Sequence, residues 1–173
     1  MQDRTRIAST TLVQYSTVSF QSFVINPLQI AEYGVQQPLS LETITVGSDC
    51  ALIRVGGEID VYTAPSLREA ILGLIANGVS HVIADLRAVE FLDSTGLGAI
   101  VGGHKRLRTN DGSLVLASSP ERIARLFRIT GLDRAFSLYP SVPEAIAAEE
   151  AWQAAIASEG TDPDEWCRKN NLL

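Results

Sequence analysis

Apolar and polar residues change rhythm repeatedly along the chain, and each change marks an element. From Leu39 to Val46 (LSLETITV) they alternate with period two, as on a half-buried strand, and Gly47-Ser48-Asp49 then leads into the apolar run Cys50 to Val55. The pair predicts an antiparallel opening. From Thr63 the spacing becomes helical: Leu67, Ala70, Ile71, Leu74 and Ile75 share a stripe, Pro65 sits in the first turn, and Asn77-Gly78 supplies the stop. His81 to Leu86 (HVIADL) is mostly apolar without alternation, which suits a central strand covered on both faces.

Asp93 or Ser94 can cap a second helix reaching about Thr109, with Leu97, Ile100, Val101, His104 and Leu107 on one stripe and Asn110-Asp111-Gly112 as its end. Ser113 to Ala117 (SLVLA) reads as a strand. Ser119 is then placed to cap a third helix whose first residue is Pro120 and whose Ile123, Leu126 and Phe127 face inward, and Gly131 can end it in a left-handed conformation. Ser137 to Tyr139 reads as a short strand, and Ser141-Val142-Pro143-Glu144 has capping-box spacing ahead of an alanine-rich helix. The order β-β-α-β-α-β-α-β-α predicts an α/β domain with a mixed sheet and about four crossover or packing helices. Residues 39–157 form the expected folded unit, between a poorly ordered N-terminal extension over 1–38 and a loose C-terminal tail over 158–173.

Composition supports one main domain: 173 residues, 46% of them hydrophobic and 20% charged, are enough for one sizeable core. The stretch Ile7 to Ile25 carries no charge and follows Arg4 and Arg6, but Ser, Thr and Gln interrupt it throughout, so it fails as a signal peptide or membrane span. A formal net charge of −6, with no dense cluster of Lys or Arg, argues against direct nucleic-acid binding. The two cysteines, Cys50 and Cys167, have no CxxC spacing, so reduced thiols in a cytoplasmic protein fit better than a zinc site or a disulfide framework.

Enzyme chemistry finds little purchase. His81 and His104 fall in a predicted strand and on a helix face without motif partners, and there is no GxSxG elbow, HExxH pair or GxxxxGK[ST] loop. Gly96-Leu97-Gly98 and Gly102-Gly103 have the wrong spacing for a dinucleotide fingerprint, so helix packing is their better account. No metal, cofactor or catalytic residue is expected.

The segment Phe91-Leu92-Asp93-Ser94-Thr95-Gly96-Leu97-Gly98 is different, because it places two hydroxyls at the start of a helix. A helix N-terminus offers unpaired N–H groups and a positive dipole end, so a phosphate there is tolerated. The plain alternative is that Asp93 or Ser94 only caps the helix.

Three ordered segments extend the picture: Gly56-Gly57-Glu58-Ile59-Asp60-Val61-Tyr62-Thr63-Ala64-Pro65, Asp93-Ser94-Thr95-Gly96-Leu97-Gly98, and Phe127-Arg128-Ile129-Thr130-Gly131-Leu132. With them the chain, from about Leu39 to Ile156, resembles the anti-sigma factor antagonist family, whose fold is the STAS domain. The resemblance implies a switch that is not an enzyme. Its unphosphorylated form binds an anti-sigma factor that is itself a serine/threonine kinase and so releases a sigma factor; phosphorylation at the position matching Ser94 turns binding off, and a serine phosphatase restores it. Asp93, Thr95 and Gly96 flank that position, and Asp60, with Tyr62 and Thr63 beside it, matches a family aspartate at the kinase-binding surface. Read from its own surroundings, Asp60 is equally a turn residue, and Tyr62 and Thr63 are equally able to cap and pack the first helix. The resemblance also admits a STAS scaffold subunit, either of a stress-signalling assembly or of a membrane lipid or anion transporter.

Overall fold

Each of the predicted strands forms in the computed structural model, which describes residues 38–173; apart from Pro38, the expected N-terminal extension lies outside the described residues. Strands β1 (Ser40–Val46), β2 (Cys50–Ile59), β3 (His81–Leu92), β4 (Ser113–Ala117) and β5 (Leu138–Tyr139) line up in sequence order as one sheet. β1 and β2 are antiparallel and every later pairing is parallel. Parallel neighbours need crossover connections, and these are the helices.

Helices α1 (Ala64–Ala76), α2 (Ser94–Arg108) and α3 (Glu121–Ile129) cover one face of the sheet. Alternation decides which strand residues they meet: Ala51, Ile53 and Val55 of β2, Val82, Ala84 and Leu86 of β3, and Leu114 and Leu116 of β4 all point into this first core. α1 and α2 approach closely because Gly103 lies against Ile71, where a Cβ would stand 2.8 Å from Ile71 Cγ2. His81 pairs with Ser113 Oγ at 3.0 Å, and His104 packs against Phe136 with ring centroids 4.4 Å apart.

α3 begins one residue later than expected. Pro120 occupies the cap position without a side-chain bond, and the Ser119 hydroxyl is buried with no hydrogen-bond partner, so Ser119 is not the cap. Gly131 does stop the helix, at φ 70°, and a 3-10 turn (Leu132–Arg134) carries the chain to β5.

The other face holds the larger departures. The alanine-rich segment bends at Glu149, whose extended backbone (φ −101°, ψ 107°) ends α4 (Val142–Ala148) and starts α5 (Glu150–Ser158). The bend lets Trp152 and Ile156 join Val142, Ala145 and Ile146 over Cys50, Leu52, Ile83 and Val115. Residues expected as a loose tail instead include α6 (Pro163–Lys169), which buries Trp166 and Cys167, with Leu172 following. Asp162 caps it by accepting from the Glu165 N–H at 2.8 Å, and Trp166 meets Trp152 edge to face at 5.9 Å. Burial pushes the Cys50 thiol up to about 12 and raises that of Cys167, so both are protonated at neutral pH.

Candidate functional site

β2 and β3 both run past β4, and two register shifts between them, at Arg54/Gly56 and Gly57/Glu58, bring Ile59 level with Leu92. Each strand therefore ends beside the other, and the Asp93 N–H donates to the Ile59 carbonyl at 3.0 Å. The loops that lead into α1 and α2 rise from adjacent points on one sheet edge. This juxtaposition was not readable from HVIADL alone: β3 continues through Arg87, Ala88, Val89, Glu90 and Phe91 to Leu92.

In the first loop Asp60 is the organiser. Its Oδ1 accepts from the N–H groups of Tyr62 (2.9 Å) and Thr63 (3.0 Å) and from the Thr63 hydroxyl (3.0 Å). The Thr63 hydroxyl also bonds the Glu58 carbonyl at 2.9 Å and accepts from the Asp60 N–H at 2.8 Å. Led by the Thr63 N–H, these donors hold the Asp60 carboxyl below its ordinary range. All the side-chain bonds fall on Oδ1, so the other carboxylate oxygen is free of partners among the described residues. Asp60 is thus a turn residue by its bonds while still presenting an oxygen to solvent, and Thr63 spends its hydroxyl on the loop itself.

In the second loop the open choice of cap resolves to Asp93. Its Oδ1 accepts from the Thr95 N–H at 2.7 Å and the Gly96 N–H at 2.8 Å, and its carbonyl takes the Leu97 N–H at 2.9 Å. Ser94, the first helical residue, is exposed and takes no part in the cap, and Thr95 is exposed beside it. Gly96, expected at a partner surface, is buried instead. A Cβ there would stand 2.6 Å from Ile59 Cγ2, 2.7 Å from Leu92 Cδ1 and 2.8 Å from the Ile59 carbonyl oxygen, so glycine is what lets α2 start against the end of β2.

Around these loops the surface is apolar to a degree the sequence reading did not single out. Tyr62 is 85% exposed, Val61 56% and Phe91 50%. The available signal was position: Val61 and Tyr62 follow directly on Asp60, and Phe91 stands two residues before the cap. Three large exposed side chains and an exposed hydroxyl thus lie on or beside the two loops. A cavity of about 490 Å³, by contrast, lies on the other face of the sheet, among Glu42, Arg54, Asp85 and Arg87. Among the described residues no helix is long and apolar enough to cross a membrane, and no group of three or more His, Cys, Asp or Glu side chains is placed to hold a metal ion.

Residues 43–145 match the family model of the STAS domain. An anti-sigma-B factor antagonist of Staphylococcus epidermidis is 47% identical over 94 residues, which is 54% of this chain and 86% of the relative. The chain belongs to the anti-sigma factor antagonist family of STAS domains. An anti-sigma factor antagonist from Mycobacterium paratuberculosis superposes on this STAS domain with a TM-score of 0.59 at 30% identity, over 64% of this chain and 93% of that one. The Bacillus cell fate determinant SpoIIAA in its phosphorylated form shares the fold, with a TM-score of 0.53 at 23% identity over 63% of this chain and 98% of its own. The expected STAS fold is therefore present, with six α-helices among the described residues where about four were foreseen.

Proposed function

We propose that this STAS domain is a cytoplasmic partner switch: unphosphorylated, it binds an anti-sigma factor with serine kinase activity and so releases a sigma factor, and phosphorylation of Ser94 ends the binding. The observation that carries the reading is the division of labour at the start of α2. Asp93 fills the cap, so the neighbouring Ser94 hydroxyl is spare, exposed and held on a rigid helix rather than a loose loop.

The surroundings supply what a protein interface needs. Exposed Tyr62, Val61 and Phe91 offer apolar area of the kind that anchors an interface core. Asp60, braced on one oxygen, presents the other to a donor on the partner. Exposed Gly98 and Gly102, which have nothing within 4 Å of where a Cβ would stand, leave the outer face of α2 open to close approach.

A phosphoryl group on Ser94 brings about −1.5 to −2 charges at neutral pH. The Thr95 and Gly96 N–H groups are already committed to Asp93, so they do not absorb that charge; it stands next to the Asp93 carboxylate and opposes docking of a partner there. A loss of ~2.8 kcal/mol weakens an interface about a hundredfold, so no refolding is required. A serine phosphatase resets the switch.

The test uses the full chain and the kinase captured with it from its own cells. With ATP, phosphate should map to Ser94; Ser94→Ala should bind but resist labelling, and Ser94→Asp should fold and bind about a hundredfold more weakly. Asp60→Asn, which can keep the Oδ1 bonds, should weaken binding with little change in thermal unfolding. Phosphate found only on Thr95, or undiminished labelling of Ser94→Ala, would sink the assignment.

A further inference from the structure

α2 and α3 both run against the strands they connect, so both deliver their C-terminal ends to the sheet edge opposite Ser94, where β4 and β5 begin. Phe136, which follows the 3-10 turn, bridges the two helices there. His104 of α2 packs against Phe136, and Phe136 meets Phe127 of α3 edge to face with centroids 5.4 Å apart.

Cations gather at that end in a chain whose formal net charge is −6. Lys105, Arg106 and Arg108 stand on the last turns of α2, Arg125 and Arg128 on α3, and Arg134 on the 3-10 turn. Arg128 pairs with Glu121; the other five have no ion-pair partner among the described residues. Ile129, one turn beyond Arg125, is 73% exposed.

Helix dipoles account for part of this, since cations in a last turn are favoured by about 0.3–1 kcal/mol each. They do not account for Arg125 in the middle of α3, for Arg134 outside either helix, or for an exposed isoleucine among them. Acidic residues are fewer here: Asp133 shares the 3-10 turn with Arg134, Asp111 follows α2 and Glu121 is paired with Arg128, whereas Glu144, Glu149, Glu150, Asp162, Asp164 and Glu165 lie on or beside α4–α6, over the other face of the sheet.

We propose that this end of α2 and α3 is a second docking surface, which takes an acidic segment of a protein partner with an apolar side chain seated on Ile129. Charge complementarity fixes the sign of the partner, and the confined size of the patch fixes its class. Duplex nucleic acid carries a charge about every 1.7 Å and would run on past the cations toward acidic surface. An anionic membrane would meet a single exposed apolar side chain and a protein of like net charge. A short acidic segment ends within the patch.

The surface is separate from the switch. The 15 residues of α2 span about 22 Å, well over a Debye length of about 8 Å at physiological salt, so a phosphate on Ser94 is screened from it. A partner held here stays bound while the Ser94 end changes state.

The test measures fluorescence anisotropy of a labelled Glu- and Asp-rich peptide with a central Leu against the full chain. Binding should weaken as salt rises, fall about tenfold in the double variant Lys105→Glu with Arg125→Glu, fall several-fold in Ile129→Ser, and be unchanged in Ser94→Asp. The altered positions are on the surface, and unchanged thermal unfolding checks that each variant folds; Lys105→Gln with Arg125→Gln replaces the reversal if it does not. No binding to the wild type, equal binding to the charge variants, or binding of a DNA duplex or phosphatidylglycerol vesicles in preference to the peptide would overturn the proposal. Loss of binding in Ser94→Asp would do so too, by making the patch part of the switch.

Discussion

The two faces of the sheet are built from different materials. The face under α1–α3 is filled mainly by Leu, Ile, Val and Ala, with Phe127 and Phe136 at the end away from the candidate site and glycine at the close contacts, Gly103 on Ile71 and Gly96 on Ile59. The face under α4–α6 is closed by two tryptophans and two cysteines and carries none of the proposed switch residues. Small residues let helices be positioned to fractions of an ångström, whereas large aromatics bury area in bulk. The contrast implies that the first face sets the geometry of the proposed switch while the second mainly supplies stability.

The largest effect expected is on the second face. Trp166→Ala removes a buried indole from its edge-to-face contact with Trp152, and a change of this kind costs about 3–5 kcal/mol. Thermal unfolding should drop by roughly 10 °C, while Ser94 below that temperature should still be labelled at the wild-type rate. A loss under about 1 kcal/mol would return residues 158–173 to a loose tail, and a lost labelling rate in folded protein would break the division between the faces.

A smaller loss of stability with a larger loss of function is expected at Gly96. Gly96→Ala forces a Cβ between Ile59 and Leu92, an overpacking that costs about 1–3 kcal/mol. Because the only relief is to move the start of α2 away from β2, labelling of Ser94 and binding of the kinase should both fall, measured well below the unfolding midpoint. Wild-type labelling in Gly96→Ala would mean that the position of the α2 start does not matter to the switch.

The same contrast governs what could be read from the sequence. The first face was legible because its signals are local: the Leu67–Ile75 stripe, the Asn77-Gly78 stop and the Asp93-Ser94 start each lie within a few residues. The second face was read poorly because α6 has few apolar positions, and a segment such as DPDEWCRKNNLL looks soluble until Trp166, Cys167 and Leu172 are seen to have a sheet beneath them. A local signal was present even so, in Asp162 followed by Pro163 and Glu165, which is a cap, a first-turn proline and an acidic third position. The bend at Glu149 left no such mark, since nothing within EAIAAEEAWQAA breaks a helix; the need to bring Trp152 onto the sheet does. In the site, the start of α2 at Asp93-Ser94 was legible, but Gly96 was placed at the surface, where the structure buries it, because a motif gives the order of residues and not which way they face.

The smallest effect separates two adjacent residues and bears most directly on the switch. Asp93 makes the cap bonds, so Asp93→Ala should cost about 1 kcal/mol, within the 0.5–2 typical of a lost cap. Ser94 makes none, and alanine is the better helix former at an exposed first position, so Ser94→Ala should fall within about 0.5 kcal/mol of the wild type in denaturant unfolding, in either direction. Ser94→Ala should nevertheless abolish labelling, while Asp93→Ala, with its serine intact, should keep some. If Ser94→Ala proved as destabilising as Asp93→Ala, the hydroxyl would be holding the helix rather than standing free of it. The serine would then not be spare, and a phosphate on it would have to break the cap before it could repel a partner.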